Sequence, residues 1–346
     1  MKIALTVDSK TFGGIEAHIM ELANELLKRG AEVTVIRLND YARTHPFTKK
    51  CADLHIPYVE LNGNLKKIFS YFSRNHFSVI HSHGYKANIF NKMFGIFASY
   101  KAVCTFHSGD QGQGKLFLYD ACDRYTAWLA DHNIAVSKTI QSSLLGTSQL
   151  LHNAVSTHNV PLTFGQKIGF VGRLSKEKGP DRFIAISRHF PEQQFVLFGD
   201  GPEMPHLRQN LPQNVTLAGH QTDMAKVWPQ ISILLMPSRA EGLPLACLEA
   251  MVRGIPTLTS ALGSLPEVIE HKKNGYLLPK FSVRDCVATL DEWINLPETQ
   301  KNSMRKLARM QITDYFSIEQ YAVHIEDIYK HVVKKDVQML KDERNV

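Results

Sequence analysis

Short apolar runs alternate with helical patterns along almost the whole chain, and this alternation restricts the possible folds most strongly. The runs, rich in β-branched residues, cover residues 3–7, 32–38, 78–83, 102–107, 133–137, 167–174, 194–198, 215–219, 231–237 and 255–260. Strands that alternate with helices are typical of parallel sheets, and almost entirely apolar run interiors indicate helices on both sheet faces. Because 346 residues exceed one ordinary core, we predict two doubly wound α/β domains.

The first helical pattern shows how these elements begin and end. Its apolar face is formed by Ile15, Ile19, Leu22 and Leu26. These positions recur at helical spacing, and Gly30 is placed to end the helix as a C-terminal cap. The next strand is expected to follow directly, from residue 32.

The alternation lapses between residues 152 and 166, a polar stretch that contains Pro161 and Gly165. Such a composition is typical of a linker between domains. We therefore predict an N-terminal domain over residues 1–160, a C-terminal domain over residues 161–317, and a last helix from residue 318 that packs on the outside of one or both domains. The charged tail that ends at residue 346 is expected to fray.

Cysteine usage and hydropathy indicate where the protein works. The five cysteines are scattered, with no pair at metal-ligand or redox spacing, which favours a reducing compartment. Asp8 ends the first apolar run too early for a signal peptide, and no stretch approaches the roughly 20 apolar residues of a membrane-spanning helix. We expect a cytoplasmic protein.

The chain carries a formal net charge of +7, and residues 1–160 hold 17 Lys and Arg against 12 Asp and Glu. No nucleic-acid-binding motif accompanies this excess, and no nucleic-acid partner is expected. Lys86, Lys92 and Lys101 flank the apolar stretch 89–100, which could lie along an anionic membrane. A solvated basic face over a core helix explains the same pattern.

Gly13 and Gly14 follow the first strand and open the first helix. Glycine lets backbone N–H groups approach an anion closely at a helix N-terminus, so a phosphate is the natural ligand. The pair is also compatible with an ordinary turn, and it lacks the third glycine of a dinucleotide-binding fingerprint.

Two cations leave the end of the strand predicted over residues 167–174, namely Arg173 and Lys178. Ligands of parallel sheets bind at the carboxyl ends of the strands, so these side chains are placed to hold a diphosphate. The alternative is a solvated basic loop.

Two carboxylates lie in the next strand-to-helix segment, at residues 237–251. Glu241 is expected in the loop and Glu249 inside the helix, where both are suited to accept hydrogen bonds from sugar and ribose hydroxyls. The backbone amides around Gly242, Leu243 and Leu245 are expected to point at a phosphate. From its own position alone, Glu249 could equally be a surface residue.

Taken together, these motifs give the chain a resemblance to the retaining glycosyltransferase family 4, over nearly its whole length. The matching segments occur in the family's order: Gly13-Gly14-Ile15-Glu16, Thr105-Phe106-His107, Gly172-Arg173 with Glu177-Lys178-Gly179, Phe198-Gly199-Asp200-Gly201-Pro202, Glu241 to Glu249, and Gly263-Ser264-Leu265-Pro266-Glu267-Val268. The resemblance implies the GT-B fold, in which two Rossmann-like doubly wound parallel-sheet domains face a central cleft.

The resemblance also implies roles for individual residues. Glu249 would bind the ribose of the donor, and Glu241 would contact the transferred sugar. Arg173 and Lys178 would stabilise the leaving diphosphate. His107 resembles the histidine that reaches the donor sugar near the reacting carbon. These roles assign the N-terminal domain to the acceptor and the C-terminal domain to the nucleotide sugar.

Other features near these motifs are less specific. His81 and His83 are expected to serve packing or the acceptor side. The sequence departs from the family pattern at Ser264, where a second glycine is common, and at Ser108, where a glycine is common. The loop 108–110 is expected to shape the acceptor pocket, and the glycine-rich run 109–114 to order when an acceptor binds.

The activity implied is transfer of a hexose or N-acetylhexosamine, with retention, from a nucleotide diphosphate sugar to a saccharide or lipid-linked saccharide in cell-surface polysaccharide or lipopolysaccharide synthesis. A UDP-sugar is favoured. No suitably placed Asp-x-Asp motif is found, so neither a metal nor another cofactor is expected. The alternatives are an epimerase or hydrolase of GT-B fold and a GDP-mannose-dependent mannosyltransferase. An NAD-dependent oxidoreductase is disfavoured, because neither half carries the three-glycine fingerprint.

Overall fold

The computed structural model describes residues 1–10, 12–41, 46–107 and 115–343, and the side chains of residues 117–334 within the last range. The chain divides into two compact units, one of Met1–Ala154 with Ile318–Val346 and one of Val155–Ser317. The backbone N–H of Val155 donates to Phe316 O at 3.0 Å, and Val155 also bridges to Ser317. These contacts hold Val155 to the second unit, so the division falls before the boundary predicted at residue 160.

In the part of the first unit that the structure describes, seven parallel strands form one sheet in the order β3-β2-β1-β4-β5-β6-β7. The strands are β1 Lys2–Val7, β2 Glu32–Arg37, β3 Tyr58–Glu60, β4 Val79–His83, β5 Lys101–Phe106, β6 His132–Ala135 and β7 Gln149–Leu150. The helices between them are α1 Gly14–Lys28, α2 Pro46–Asp53, α3 Leu65–Arg74, α4 Tyr85–Gly95, α5 Lys115–Tyr125 and α6 Lys138–Gln141, with a 3₁₀ turn at Ala127–Leu129.

Helix α1 confirms the predicted helix and its end. Ile19, Leu22 and Leu26 are fully buried in the core of the first unit. Gly30 lies just beyond the helix with φ +84°, in the left-handed region that favours glycine. Its N–H donates to Leu27 O at 3.0 Å, so an otherwise unpaired carbonyl at the helix end is satisfied.

The second unit repeats the same topology. Its described residues form a six-stranded parallel sheet in the order β10-β9-β8-β11-β12-β13. The strands are β8 Lys167–Val171, β9 Phe195–Phe198, β10 Val215–Gly219, β11 Ile231–Met236, β12 Thr257–Ser260 and β13 Tyr276–Leu278. The helices are α7 Pro180–Ser187, α8 Met204–Leu207, α9 Leu245–Met251, α10 Leu265–Val268, α11 Val283–Asn295 and α12 Glu298–Tyr315, with 3₁₀ turns at Lys176–Lys178, Arg208–Asn210, Met224–Lys226 and Trp228–Gln230.

The strand order of each sheet reverses once, between β1 and β4 in the first unit and between β8 and β11 in the second. This is the doubly wound order of Rossmann-like folds, and the two doubly wound domains predicted from the sequence are confirmed. Ligands of such sheets bind beyond the carboxyl ends of the strands at the reversal. Ligand sites are therefore expected at the loops that follow β1, β4, β8 and β11.

The chain ends in helix α13, Ile318–Glu343, which belongs to the first unit. Tyr321, Ala322, Ile325 and Tyr329 are buried in the core that β1 and α1 form. The predicted terminal helix is thus present, and its apolar face completes the core of the first unit.

The three lysines that suggested a membrane-facing stretch are each paired with a carboxylate. Lys92 is fully buried and contacts Asp123 at 2.6 Å, so its assignment to a membrane surface was wrong. The sequence pattern could not show this, because the partner lies 31 positions away in another helix. Lys86 pairs with Asp8 at 3.1 Å, and Lys101 pairs with Asp131 at 3.2 Å. Among the described helices, none combines the length and the apolar character that a membrane span needs.

Candidate active site

Glycines bring the strand-end loops of the second unit into backbone contact. A Cβ atom on Gly199 would lie 1.8 Å from Gly172 O, and one on Gly263 would lie 2.0 Å from Gly242 O. Any side chain would therefore push apart the loops that follow β8 and β9, or those that follow β11 and β12. The glycines of the matching motifs thus allow the close packing of the loops that carry the charged residues.

Lys178 and Glu241, predicted from separate motifs, are bonded to each other. The Lys178 ammonium donates to both Glu241 carboxylate oxygens, at 2.9 and 2.7 Å. The Ser238 hydroxyl donates to the same carboxylate at 2.7 Å, and the Glu241 residue is only 8% exposed. Because the two loops follow β8 and β11, the pair lies where the second sheet reverses its strand order.

The local backbone fixes this pair. Lys178 ends the 3₁₀ turn Lys176–Lys178, and Gly179 follows it with φ +71°. A Cβ atom on Gly179 would lie 2.3 Å from Pro237 O, so only glycine lets the two loops approach. Arg182 donates to the carbonyl oxygens of Pro237 and Ser238, both at 3.2 Å, and holds the β11 loop in place.

Arg173 lies two residues beyond β8 and is exposed. Its backbone carbonyl accepts from the Ser175 N–H at 3.0 Å, but its guanidinium, in contrast to the Lys178 ammonium, has no hydrogen-bond or ion-pair partner in the described part of the chain. A second arginine nearby, Arg239, is held by Asp181 through two hydrogen bonds of 2.8 and 2.7 Å. Of these two guanidinium groups, only that of Arg239 is engaged by a carboxylate, and the contact of Arg173 with a diphosphate remains a prediction.

Helix α9 carries Glu249 about one turn from its start, where the side chain is partly buried. The Glu249 carbonyl accepts a hydrogen bond of 2.7 Å from Arg253, which secures this turn of the helix. Gly242 and Leu243 are buried in the loop before the helix, and Leu245 is its first residue. The contacts of these residues with ribose and phosphate remain predictions.

In the first unit, the start of α1 is capped by the protein's own carboxylate. The helix begins at Gly14, as predicted, and the N–H of Gly13 donates to Glu16 at 2.7 Å. Glu16 is 7% exposed, and burial raises the pKa of its carboxyl group. Of the two glycines predicted to hold a phosphate, Gly13 thus has its amide occupied by Glu16, and a phosphate contact of Gly14 remains a prediction.

His107 directly follows β5 and belongs to a chain of hydrogen bonds. Its Nδ1 lies 3.1 Å from the Asn153 amide oxygen, and its Nε2 lies 2.9 Å from Nδ1 of His83. Because the amide oxygen accepts, we assign the His107 proton to Nδ1, which leaves Nε2 to accept from His83. Burial lowers the pKa of His107 to about 3, so the ring is neutral at pH 7.

Two further histidines surround this chain. His81 is fully buried, with its ring nitrogens 2.6 Å from the Tyr329 hydroxyl and 2.7 Å from the Thr105 hydroxyl. His18, which no sequence motif singled out, lies 3.1 Å from Ala154 O through Nδ1, and burial lowers its pKa to about 4. His81 therefore serves packing. Loop 108–110 and the run 109–114 lie outside the described residues.

The described residues also contain no group of three His, Cys, Asp or Glu side chains arranged to hold a metal ion. The charged residues predicted from the motifs of the second unit are two cations, Arg173 and Lys178, and two carboxylates, Glu241 and Glu249, of which the structure shows Lys178 and Glu241 in contact. Such a set is suited to a ligand with a diphosphate and hydroxyl groups.

Comparison with known proteins identifies the family of both units. Residues 12–157 match the model described as Glycosyltransferase Family 4, and residues 163–310 match the model described as Glycosyl transferases group 1. The chain is similar to the N-acetyl-alpha-D-glucosaminyl L-malate synthase of Bacillus anthracis, with 30% identity over 42% of this chain and 39% of that protein. The aligned part thus covers well under half of that relative.

A longer alignment joins the chain to a phosphatidylinositol N-acetylglucosaminyltransferase chain of Arabidopsis thaliana, with 25% identity over 93% of this chain and 80% of that protein. Among solved structures, Alr3699/HepE of Anabaena, in complex with UDP and glucose, is similar with a TM-score of 0.83 and 16% identity, over 96% of this chain and 100% of that one. At this identity the structural match shows the fold alone. The two family matches, in the order found in the chain, show that it belongs to glycosyltransferase family 4 of the group 1 glycosyl transferases, with the two Rossmann-like units of the GT-B fold.

Proposed function

We propose that the chain is a retaining, metal-independent glycosyltransferase. It transfers a hexose or N-acetylhexosamine from a nucleotide diphosphate sugar to a saccharide or lipid-linked saccharide in cell-surface polysaccharide synthesis. The observation that carries the proposal is the bonded pair of Lys178 and Glu241 at the strand-order reversal of the second sheet, within a segment that matches the family model.

Electrostatic stabilisation is the main catalytic effect in this proposal. When the bond between sugar and phosphate breaks, the diphosphate gains negative charge, and preorganised cations lower the energy of that state. Arg173 and Lys178 supply the cations. Glu249 would hold the ribose hydroxyls of the donor, as carboxylates readily accept such hydrogen bonds.

In the unliganded site, the carboxylate of Glu241 balances the positive charge of Lys178. We propose that a donor phosphate oxygen replaces one carboxylate oxygen on the Lys178 ammonium. The oxygen of Glu241 released in this way then accepts a hydrogen bond from the transferred sugar. Ser238, which donates to the same carboxylate, keeps Glu241 oriented during this exchange.

Retention of configuration needs no enzyme nucleophile in this scheme. The acceptor hydroxyl attacks the face that the diphosphate leaves, and the departing phosphate oxygen takes the hydroxyl proton. His107 is proposed to contact the substrate as a neutral ring, because burial lowers its pKa to about 3.

The printed names of the similar proteins guide the choice of donor. Two relatives carry N-acetylglucosaminyl names, and the structural neighbour was solved with UDP and glucose. We therefore propose a UDP-sugar as donor, with UDP-N-acetylglucosamine and UDP-glucose to be tested first and GDP-mannose as the competing candidate.

The test measures nucleotide diphosphate released from each of these three donors, with and without a mixture of methyl glycosides as acceptors. The proposal predicts release that depends on acceptor, a product of retained configuration, and an unchanged rate after treatment with EDTA. Equal release without acceptor would instead favour the hydrolase, and conversion of the donor into an epimer without release would favour the epimerase. A rate that EDTA abolishes and magnesium restores would contradict metal independence.

A cytoplasmic location at an anionic membrane surface is part of the same proposal. The surface proposed for this contact contains the apolar residues Met93, Ile96 and Phe97 around the end of α4, which are 50%, 56% and 79% exposed. Lys92 is not part of it, because its side chain is buried. Phe97→Ser is expected to reduce sedimentation of the protein with vesicles that contain phosphatidylglycerol, because less apolar surface enters the lipid interface. Unchanged sedimentation would refute this surface as the contact.

A further inference from the structure

The first unit contains a cavity of about 260 Å³ at the point where its strand order reverses. Val7, His83 and Phe106, the last residues of β1, β4 and β5, line it. Ligands of open α/β sheets bind at this position. The volume lies below the ~300 Å³ at which most small-molecule sites begin, so it suits one sugar ring better than an oligosaccharide.

The cations that line this cavity are both engaged by carboxylates. Arg124 donates to the two oxygens of Asp120 at 2.7 and 3.2 Å. Lys86 contacts Asp8 at 3.1 Å and donates to the Tyr41 hydroxyl at 3.3 Å. A phosphate that entered here would have to displace a carboxylate from one of these partners.

The carboxylates of the described lining outnumber its cations. Besides Asp8 and Asp120, Glu16 and Asp123 line the cavity. Asp123 is paired with the buried Lys92 at 2.6 Å, so within the described residues Glu16 is the lining carboxylate that has no cationic partner. Glu16 accepts from the N–H of Gly13, so this backbone donor at the start of α1 is already occupied by a carboxylate. A phosphorylated ligand therefore meets cations that are already paired, the carboxylate of Glu16, and a Gly13 amide that is already occupied.

The same lining suits a polar ligand without charge. Carboxylate oxygens accept hydrogen bonds from hydroxyl groups. Ile15, Tyr85 and Phe106 add apolar surface for the carbon face of a sugar ring. The Tyr85 ring is stacked on Tyr119, with 6.1 Å between the ring centroids, which restricts its movement.

We propose that this cavity binds an uncharged, hydroxyl-bearing sugar residue of the acceptor and discriminates against a residue that itself carries phosphate. The inference rests on the proposed transferase function and narrows its acceptor class. A phosphate elsewhere in a lipid-linked acceptor is compatible with it, provided that the residue in the cavity is uncharged.

The test compares uncharged and phosphorylated probes on the full chain with UDP present. The probes are methyl α-D-glucopyranoside and methyl N-acetyl-α-D-glucosaminide, against glucose 6-phosphate and N-acetylglucosamine 6-phosphate. Binding is read from the ¹⁵N signals of the His83 and His107 rings, since both residues line the cavity. We expect an uncharged probe to shift these signals and the phosphorylated probes to bind about tenfold more weakly, from the repulsion of like charges in a partly desolvated site.

Two variants locate the binding. Ile15→Trp should fill the cavity and abolish the shifts, whereas Leu307→Trp, at an exposed position of the second unit, should not. Asp120→Asn removes the charge that Arg124 is paired with, so it should raise affinity for the phosphorylated probes about tenfold. Asp131→Asn, whose carboxylate pairs with Lys101 and lies outside the cavity lining, is the matched control.

Phosphorylated probes that bind the unaltered protein as tightly as uncharged ones would overturn the inference. So would ring signals that no probe shifts although UDP binds, a result that leaves the transferase proposal standing. Shifts by an uncharged probe in a protein that neither binds nor consumes any nucleotide sugar would support the cavity assignment and refute the proposed function. If Asp120→Asn fails to fold, Glu16→Gln tests the same charge balance.

Discussion

The buried histidines of the first unit make its stability depend on pH, and the size of the effect follows from their pKa values. Burial lowers the pKa of His18 to about 4 and that of His107 to about 3, from an ordinary value of 6.5. Folding therefore keeps both rings neutral at a pH at which the unfolded chain binds protons. The stabilisation is complete above the unfolded pKa and is lost as the pH falls below about 6.5.

A pH of 5 lies about 1.5 units below the histidine pKa of the unfolded chain, and each pH unit of this difference corresponds to about 1.4 kcal/mol. Each ring thus costs about 2 kcal/mol of unfolding free energy at pH 5, and the two rings about 4 kcal/mol. Burial also lowers the pKa values of His81 and His83 well below the usual range, which adds to the loss.

The assay is urea unfolding of the full chain at pH 7 and pH 5, for the unaltered protein and for His18→Asn. Asparagine keeps an N–H near the position of Nδ1, which donates to Ala154 O, but cannot be protonated in this range. We expect the variant to lose about 2 kcal/mol less than the unaltered protein between the two pH values. His220→Gln, at an exposed position, is the control. An equal loss in His18→Asn and the unaltered protein would show that protonation of His18 does not destabilise the fold.

Three further predictions concern the second unit. Lys178→Ala should lower kcat about 10²- to 10³-fold in steady-state kinetics, because it removes charge stabilisation of the leaving diphosphate. Lys176→Ala, which changes an exposed lysine in the same turn, should leave kcat unaltered. Equal loss of activity in both variants would contradict this prediction. Glu249→Ala should weaken UDP binding about tenfold in titration calorimetry, through loss of ribose hydrogen bonds, and unchanged affinity would refute the ribose assignment. In thermal unfolding, Gly199→Ala should lower the unfolding free energy by more than about 3 kcal/mol, because the new Cβ would lie 1.8 Å from a backbone oxygen. Gly219→Ala, at φ +72° with no atom within 4 Å of the new Cβ, should lower it by only about 1 kcal/mol. Equal costs would refute the contact argument.

The central strands could be predicted from the sequence, whereas three edge strands could not. β3, β7 and β13 are two or three residues long and lie at the sheet edges, so they carry too few apolar residues to show a period. The strand predicted over residues 167–174 ends at Val171, because Gly172 has φ +157° although Leu174 beyond it is buried. An apolar residue in the sequence therefore indicates that a side chain is buried, but it does not show where the backbone leaves the strand.

The site shows a similar division. Lys178 and Glu241 could each be found from a local motif, but their bond joins residues 63 positions apart and depends on the strand order of the folded sheet. The same holds for Lys92, whose partner Asp123 lies on another helix. Glu16 was part of a matching motif, yet only the folded geometry shows that its carboxylate occupies the amide of Gly13. Pairings between distant segments are thus the part that sequence patterns leave open.

The most direct measurement is the position of the diphosphate in a crystal of this protein soaked with a UDP-sugar. We expect phosphate oxygens about 3 Å from the Lys178 ammonium and the Arg173 guanidinium, which is ordinary for charge-assisted hydrogen bonds. We also expect Glu241 to bond to the sugar in this complex. A diphosphate bound elsewhere, with the Lys178–Glu241 pair still intact, would disprove the proposed donor site.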